Sequence, residues 1–210
     1  MGIPVLVLGE SGTGKSASLR NFQPGEVAVI NVAGKPLPFR TKLKTLNTDQ
    51  YVTIQGALGG YVQKGARAIV IDDAQYLMAD EFMRRSSEIG FQKFTDIGKN
   101  YFDLIKTVAD RLPPDVVVYF LSHVATDENG MTRCKTIGKL LDEKITVEGM
   151  FTIVLRTHVQ DGTYQFRTHN GGADTVKSPI GMFEQDLIDN DLKFVDQKIR
   201  EYWDLNDKGE

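Results

Sequence analysis

Residues 9–16 read Gly9-Glu10-Ser11-Gly12-Thr13-Gly14-Lys15-Ser16 and satisfy GxxxxGK[ST] at every fixed position. No other feature constrains this chain so tightly, because the pattern works in one setting only: a buried strand must deliver the loop and a helix must leave it. Both flanks comply. Pro4 to Leu8 is a short apolar run, and Lys15 to Phe22 reads as a helix that Pro24-Gly25 breaks. In such a loop the glycines let backbone N–H groups turn inward, and the concavity takes a phosphate chain. Lys15 would then reach the outer phosphates, the Ser16 hydroxyl would ligate Mg²⁺, and Gly9 to Ala17 together would form the nucleotide cradle. Gly12 to Ala17 also spells GxGxxA, but a dinucleotide reading needs an acid at the end of the next strand. That strand, Val27 to Val32, ends at Asn31-Val32, and no acid occurs between Glu26 and Asp49. The dinucleotide reading is rejected.

The rest of the chain alternates buried strands with helices. Ala68 to Ile71 and Val116 to Leu121 are apolar runs of strand length. Between them Phe94, Ile97, Tyr101, Leu104, Ile105, Val108 and Leu112 recur at helix spacing, within one long helical region stopped by Pro113-Pro114. Residues 33–67 are less regular; Gln50 to Ile54 reads as a short strand and Gly56 to Lys64 as a helix. Asp127-Glu128-Asn129-Gly130 is a turn signal. Phe151 to Val159 and Thr163 to Thr168 alternate about Gln160-Asp161-Gly162, which predicts a hairpin. Asn190 or Asp189 is placed to cap a last helix with Leu192, Val195, Ile199 and Tyr202 on one face. The expected fold is α/β: a mainly parallel sheet covered on both faces, with an antiparallel hairpin extending one edge.

Two strand ends carry polar groups where ligands of open α/β sheets sit. Ala68 to Ile71 ends at Asp72-Asp73. Asp72 is the expected Mg²⁺ ligand beside Ser16, and Asp73 the expected base that orients or deprotonates an attacking water. Adjacent carboxylates repel, and a metal beside them relieves that. Asp73 is also placed to cap the following helix. Val116 to Leu121 ends at Ser122-His123, which makes His123 the candidate contact to the terminal phosphate or to the water.

Composition sets the outer bounds. The chain has 210 residues, is 41% hydrophobic and 25% charged, and carries a net charge of −3. That suits one globular domain and argues against a constitutively basic nucleic-acid binder. No apolar run approaches the ~20 residues of a membrane span, no secretory leader is visible, and the single cysteine, Cys134, allows no internal disulfide, which fits a reducing compartment.

A loop at 9–16, Asp72-Asp73 ending another strand and a polar residue ending a third resemble the additional-strand class of phosphate-loop ATPases, which holds the RecA-like and AAA-type enzymes. Ile137 to Asp142, Val176 to Phe183 and Asp189 to Leu192 are similar to phage-encoded members associated with DNA recombination and single-strand annealing. The resemblance implies a RecA-like core over residues 1–183 with an acidic helical tail, 184–210, packed on it. It implies ATP and Mg²⁺ as nucleotide and metal, ATP hydrolysis, and self-assembly as a ring or filament. It also implies work on single-stranded DNA with phage recombination or replication proteins, and a cytoplasmic location, the host's if the chain is of phage origin. There are departures. The glutamate that RecA-like enzymes place after the second strand is replaced by Asn31 or its neighbours, and neither an N-terminal polymerisation segment nor a helical lid is expected.

Charge is unevenly spread. Residues 33–67 hold six bases (Lys35, Arg40, Lys42, Lys44, Lys64, Arg67) against Asp49, while 184–210 hold nine acids against four bases. This split suits a DNA face, or attraction between subunits. Arg133, Lys135 and Lys139 follow the fourth strand, where RecA-like assemblies face DNA. Lys177, in a loop before Pro179, is the candidate finger toward a neighbour's terminal phosphate, with Arg156 and Arg167 as competitors. Two rival readings share the loop: a small-molecule kinase, and a nucleotide-dependent switch that recruits a partner.

Overall fold

The structure, a computed structural model, describes residues 1–205. Its sheet has eight strands: β1 (Ile3–Leu8), β2 (Ala28–Asn31), β3 (Thr45–Asn47), β4 (Ala68–Asp72), β5 (Val117–Ser122), β8 (Ile153–Gln160), β9 (Thr163–Arg167) and β10 (Leu187–Asp189), in the order β10-β9-β8-β1-β5-β4-β2-β3. From β3 to β8 every neighbour is parallel; β9 and β10 continue antiparallel. The parallel part follows from the sequence, because strands buried on both faces read as unbroken apolar runs. Along β1, Leu6 and Leu8 face one core while Val5 and Val7 face the other. β4 and β5 divide likewise, Ile69 and Phe120 on the first face, Val70 and Tyr119 on the second.

The first face is covered by α1 (Tyr51–Gln63), α2 (Tyr76–Arg84) and α3 (Gln92–Arg111). Ile54, Leu58, Leu77, Met78, Ile97, Tyr101, Leu104 and Val108 fill the layer between. The second is covered by α4 (Leu192–Tyr202), through Leu192, Val195 and Ile199, and by Leu19 and Phe22. β5 stands between the strand that delivers the phosphate loop and the strand that ends in two acids. That inserted strand, with the hairpin edge beyond β8, makes the expected α/β core: a mainly parallel sheet covered on both faces and extended antiparallel at one edge.

Several local expectations change. Gln50 to Ile54 is not a strand: α1 starts at Tyr51, and the strand of that region is β3, pairing with β2. The long helical region is two helices, parted at 85–91, where Gly90 takes a φ of +101°. The helix leaving the phosphate loop is a six-residue 3-10 helix, Ser16–Asn21. Leu19 is buried from this helix, and Phe22, just past its end in extended backbone, is buried beside it. The α4 cap is neither Asn190 nor Asp189. Asp191 Oδ1 accepts from the N–H of Lys193 at 2.9 Å and of Phe194 at 3.3 Å. Tyr202 lies off the buried face of α4, 40% exposed.

The expected hairpin is β8–β9. Its turn puts Asp161 at φ +51° and Gly162 at +76°, the doubly left-handed turn that suits a two-residue hairpin loop. Asp127–Gly130 is the turn of a second hairpin, β6 (Val124–Thr126) with β7 (Thr132–Cys134), set apart from the main sheet. Residues 184–205 contribute both β10 and α4 rather than helix alone; Asp207, Lys208 and Glu210 of the acidic count lie outside the described residues. Among the described residues no helix is long and apolar enough to cross a membrane.

Candidate functional site

At the C-terminal ends of β1, β4 and β5 lies a cleft of about 350 Å³, walled by the phosphate loop on one side and by Asn31, Lys35, Pro36, Asp72, Asp73 and His123 on the other. Side-chain hydroxyls fix the loop. The Thr13 hydroxyl donates to the Glu10 carbonyl at 2.7 Å and meets the Thr157 hydroxyl of β8 at 2.7 Å. Gly9 is required by this contact, because a Cβ there would sit 2.0 Å from Thr157 Oγ1 and 2.7 Å from Thr13 Oγ1. Gly14 has a φ of +99° and would bring a Cβ to 3.1 Å from Asn190 and Tyr164. The helix that follows is a short 3-10 turn with little dipole, so an anion in this loop would be met chiefly by the loop's own N–H groups.

Lys15 is 5% exposed, and its ammonium donates to the carbonyls of Gly9 at 2.9 Å and Glu10 at 2.8 Å. Burial pulls it below the usual lysine range, and the charges of Asp73, Asp72 and Glu10 pull the other way. The Ser16 hydroxyl donates to Asp72 Oδ1 at 2.8 Å, bringing a loop hydroxyl and a carboxylate together from 56 residues apart. Asp72 is 4% exposed, and burial pushes it up to about 6 against the opposing Ser16 bond. Two side-chain oxygens side by side on the cleft fit the demands of Mg²⁺, which takes one or two protein oxygens and fills its remaining positions with phosphate and water.

Asp73 has a φ of +58°, a conformation uncommon outside glycine though tolerated by aspartate. It does not cap α2, whose first residue is Tyr76 and whose cap position is Gln75. Its carboxylate turns into the cleft instead, with Oδ1 3.4 Å from His123 Nε2 and Oδ2 3.4 Å from Lys35 Nζ. His123 packs edge-on to Tyr76, ring centroids 5.7 Å apart. Burial first, and then the Lys15 charge, lower its pKa, so the ring is neutral at pH 7.

No protein-family profile matches the chain, and no curated protein does. Among solved structures, a KaiC-like protein from the hyperthermophilic archaeon Pyrococcus horikoshii aligns at a TM-score of 0.40 and 13% identity. That alignment covers 79% of this chain and 76% of the other.

The fold therefore brings Lys15, Ser16, Asp72, Asp73 and His123 to one cleft, with the loop residues Ser11, Gly12, Gly14 and Ala17 on its wall. Gly9, Glu10 and Thr13 stand behind that wall, where Glu10 Oε1 accepts from Arg156 at 3.3 Å. Lys177 does not line the cleft of its own chain. Its N–H donates to the Val154 carbonyl at 2.9 Å, and its carbonyl accepts from Val154 N–H at 2.8 Å, so the loop beyond Asn170 runs along β8. Asn31 spends its amide within the turn that follows β2, Nδ2 donating to the Lys35 carbonyl at 2.5 Å and Oδ1 accepting from Gly34 N–H at 2.9 Å. In the sequence Lys35 is one of the six bases of residues 33–67 and no motif singles it out. The signal for it was topological: β2 neighbours β4, so whatever follows β2 arrives at the cleft.

Proposed function

We propose that this chain is an Mg²⁺-dependent ATPase whose site is the cleft at the ends of β1, β4 and β5. The observation that carries it is the convergence of Lys15, the Ser16–Asp72 pair and the Asp73–His123 pair on one phosphate-shaped loop. The loop N–H groups and Lys15 hold the phosphate chain and neutralise charge on its outer oxygens. Ser16 and Asp72 would hold Mg²⁺, which when bound would neutralise negative charge on the phosphate chain. Asp73 accepts a proton from the attacking water, and neutral His123 orients that carboxylate through its Nε2–H.

The sequence resemblance extends the proposal to self-assembly as a ring or filament, with Lys177 reaching a neighbour's nucleotide, and to single-stranded DNA handled in phage-type recombination or replication. Exposed Arg40, Lys42 and Lys44, and exposed Arg133, Lys135 and Lys139, are the local cations such binding would need. Release of inorganic phosphate from ATP and Mg²⁺, with and without single-stranded DNA, tests the reading. Hydrolysis stimulated by DNA supports both the ATPase and its work on single strands. Hydrolysis indifferent to DNA keeps the ATPase and removes the recombination role, and no phosphate release removes both.

A further inference from the structure

Lys35 stands where no role has been assigned to it. The turn that carries it is built rather than loose: buried Asn31 uses both ends of its amide on it, and Gly34 takes a φ of +65° within it. That turn delivers a lysine into the wall of the phosphate cleft, opposite Lys15. The stem passes the ring of Tyr76, with Nζ 4.9 Å from the ring centroid, and the ammonium stops 3.4 Å from Asp73 Oδ2. Tyr76 in turn braces His123, which holds the other oxygen of the same carboxylate. The Lys35 side chain is 63% exposed, whereas that of Asp73 is 14% exposed, so the cation is the less enclosed partner of the pair.

We infer that Lys35 reads the terminal phosphate of a bound nucleoside triphosphate, exchanging Asp73 for a phosphate oxygen and leaving Asp73 free to take the water. The inference rests on the nucleotide reading of this cleft. Its physics is a choice of anion for one ammonium. Without nucleotide, Asp73 is the anion in reach. A triphosphate that fills the loop sets its outermost oxygens, more highly charged than one carboxylate, between Lys15 and Lys35. A diphosphate leaves that place empty, and Lys35 stays on Asp73. The exchange couples occupancy of the terminal-phosphate position to release of the base, so Lys35 sets the preference for triphosphate over diphosphate, whereas Lys15 serves both.

The test is a ratio of affinities, measured with Mg²⁺ by displacement of a fluorescent nucleotide using a non-hydrolysable ATP analogue and ADP. In Lys35→Ala the analogue should weaken by roughly tenfold, the scale of one charge-assisted hydrogen bond, while ADP affinity stays within about twofold. Lys35→Arg should keep most of the preference, since it retains the charge and the donors. Asp73→Asn should raise the preference, and part of that gain should vanish in the Lys35→Ala, Asp73→Asn double variant. A ratio unchanged in Lys35→Ala, beside intact ADP binding, overturns the role of Lys35 alone. A wild-type protein that binds neither nucleotide overturns the site reading and this inference with it.

Discussion

Asp72 is held ionised in a place that disfavours charge, and replacing it should make the nucleotide-free protein more stable. Burial pushes its pKa from the ordinary 3.8 to about 6. At 1.36 kcal/mol per tenfold in the proton equilibrium, that is on the order of 3 kcal/mol against folding. The sign follows from which state binds the proton more tightly. Below about pH 4 the group is protonated folded or unfolded, and there is no penalty. Between about 4 and 6 the folded state holds the proton more tightly, so stability falls as pH rises, and above about 6 the whole penalty applies. In Asp72→Asn the amide oxygen can still accept the two bonds that end on Oδ1, from Ser16 Oγ at 2.8 Å and from Asp73 N–H at 3.1 Å. Allowing for weaker bonds to a neutral acceptor, about 2 kcal/mol remains, or roughly 4–8 °C in Tm for a chain of this size. Thermal unfolding followed by circular dichroism, without Mg²⁺ or nucleotide, should show Asp72→Asn melting higher at pH 7 and level with wild type near pH 4. With Mg²⁺ and ATP, wild type should gain stability and the variant little. A variant that melts at or below wild type at pH 7 would refute the reasoning.

Other outcomes follow from the same geometry. Asp73→Asn should bind nucleotide yet hydrolyse it roughly 10²–10⁴-fold more slowly, the range for a lost general base; single-turnover rates comparable to wild type would move that role elsewhere. Gly9→Ala must displace Thr157 or the loop, so it should lower Tm by an amount corresponding to about 1–3 kcal/mol and weaken nucleotide binding with it; an unchanged melt would mean that the Thr157 contact is not held in solution. Cys134 is 3% exposed and burial pushes its thiol up, so a thiol reagent at pH 8 should label the unfolded protein and leave the native one unmodified. Rapid stoichiometric labelling of native protein would contradict that burial.

The centre of the fold was legible because its strands are buried on both faces. Val5 to Leu8, Ile69 to Ile71 and Val117 to Leu121 have no polar face to obscure them, and the loop motif pins one end of the sheet. The periphery was not. Tyr51-Val52-Thr53-Ile54 has strand-forming residues, yet Ile54 and Leu58 are the positions buried against the sheet, four apart, and tertiary packing makes the segment helical. β3 is three residues with one half-buried side chain, too short to leave a pattern. Asn190 looked like a helix cap, but its side chain is buried beside Gly14, and the neighbouring Asp191 does the capping. At the site, residues on the strand ends were legible from the rule that ligands sit there. Lys35 and Tyr76 were not, because their proximity to Asp73 is created by strand order, and no spacing within the chain encodes it.

The central claim is that Lys15, in its loop, supports hydrolysis of a nucleoside triphosphate. The most direct measurement is the steady-state rate of phosphate release from ATP and Mg²⁺ by wild type and by Lys15→Ala, each shown by its melting curve to be folded. The loop geometry predicts turnover in wild type and a rate indistinguishable from background in the folded variant. Turnover by Lys15→Ala at the wild-type rate would contradict it.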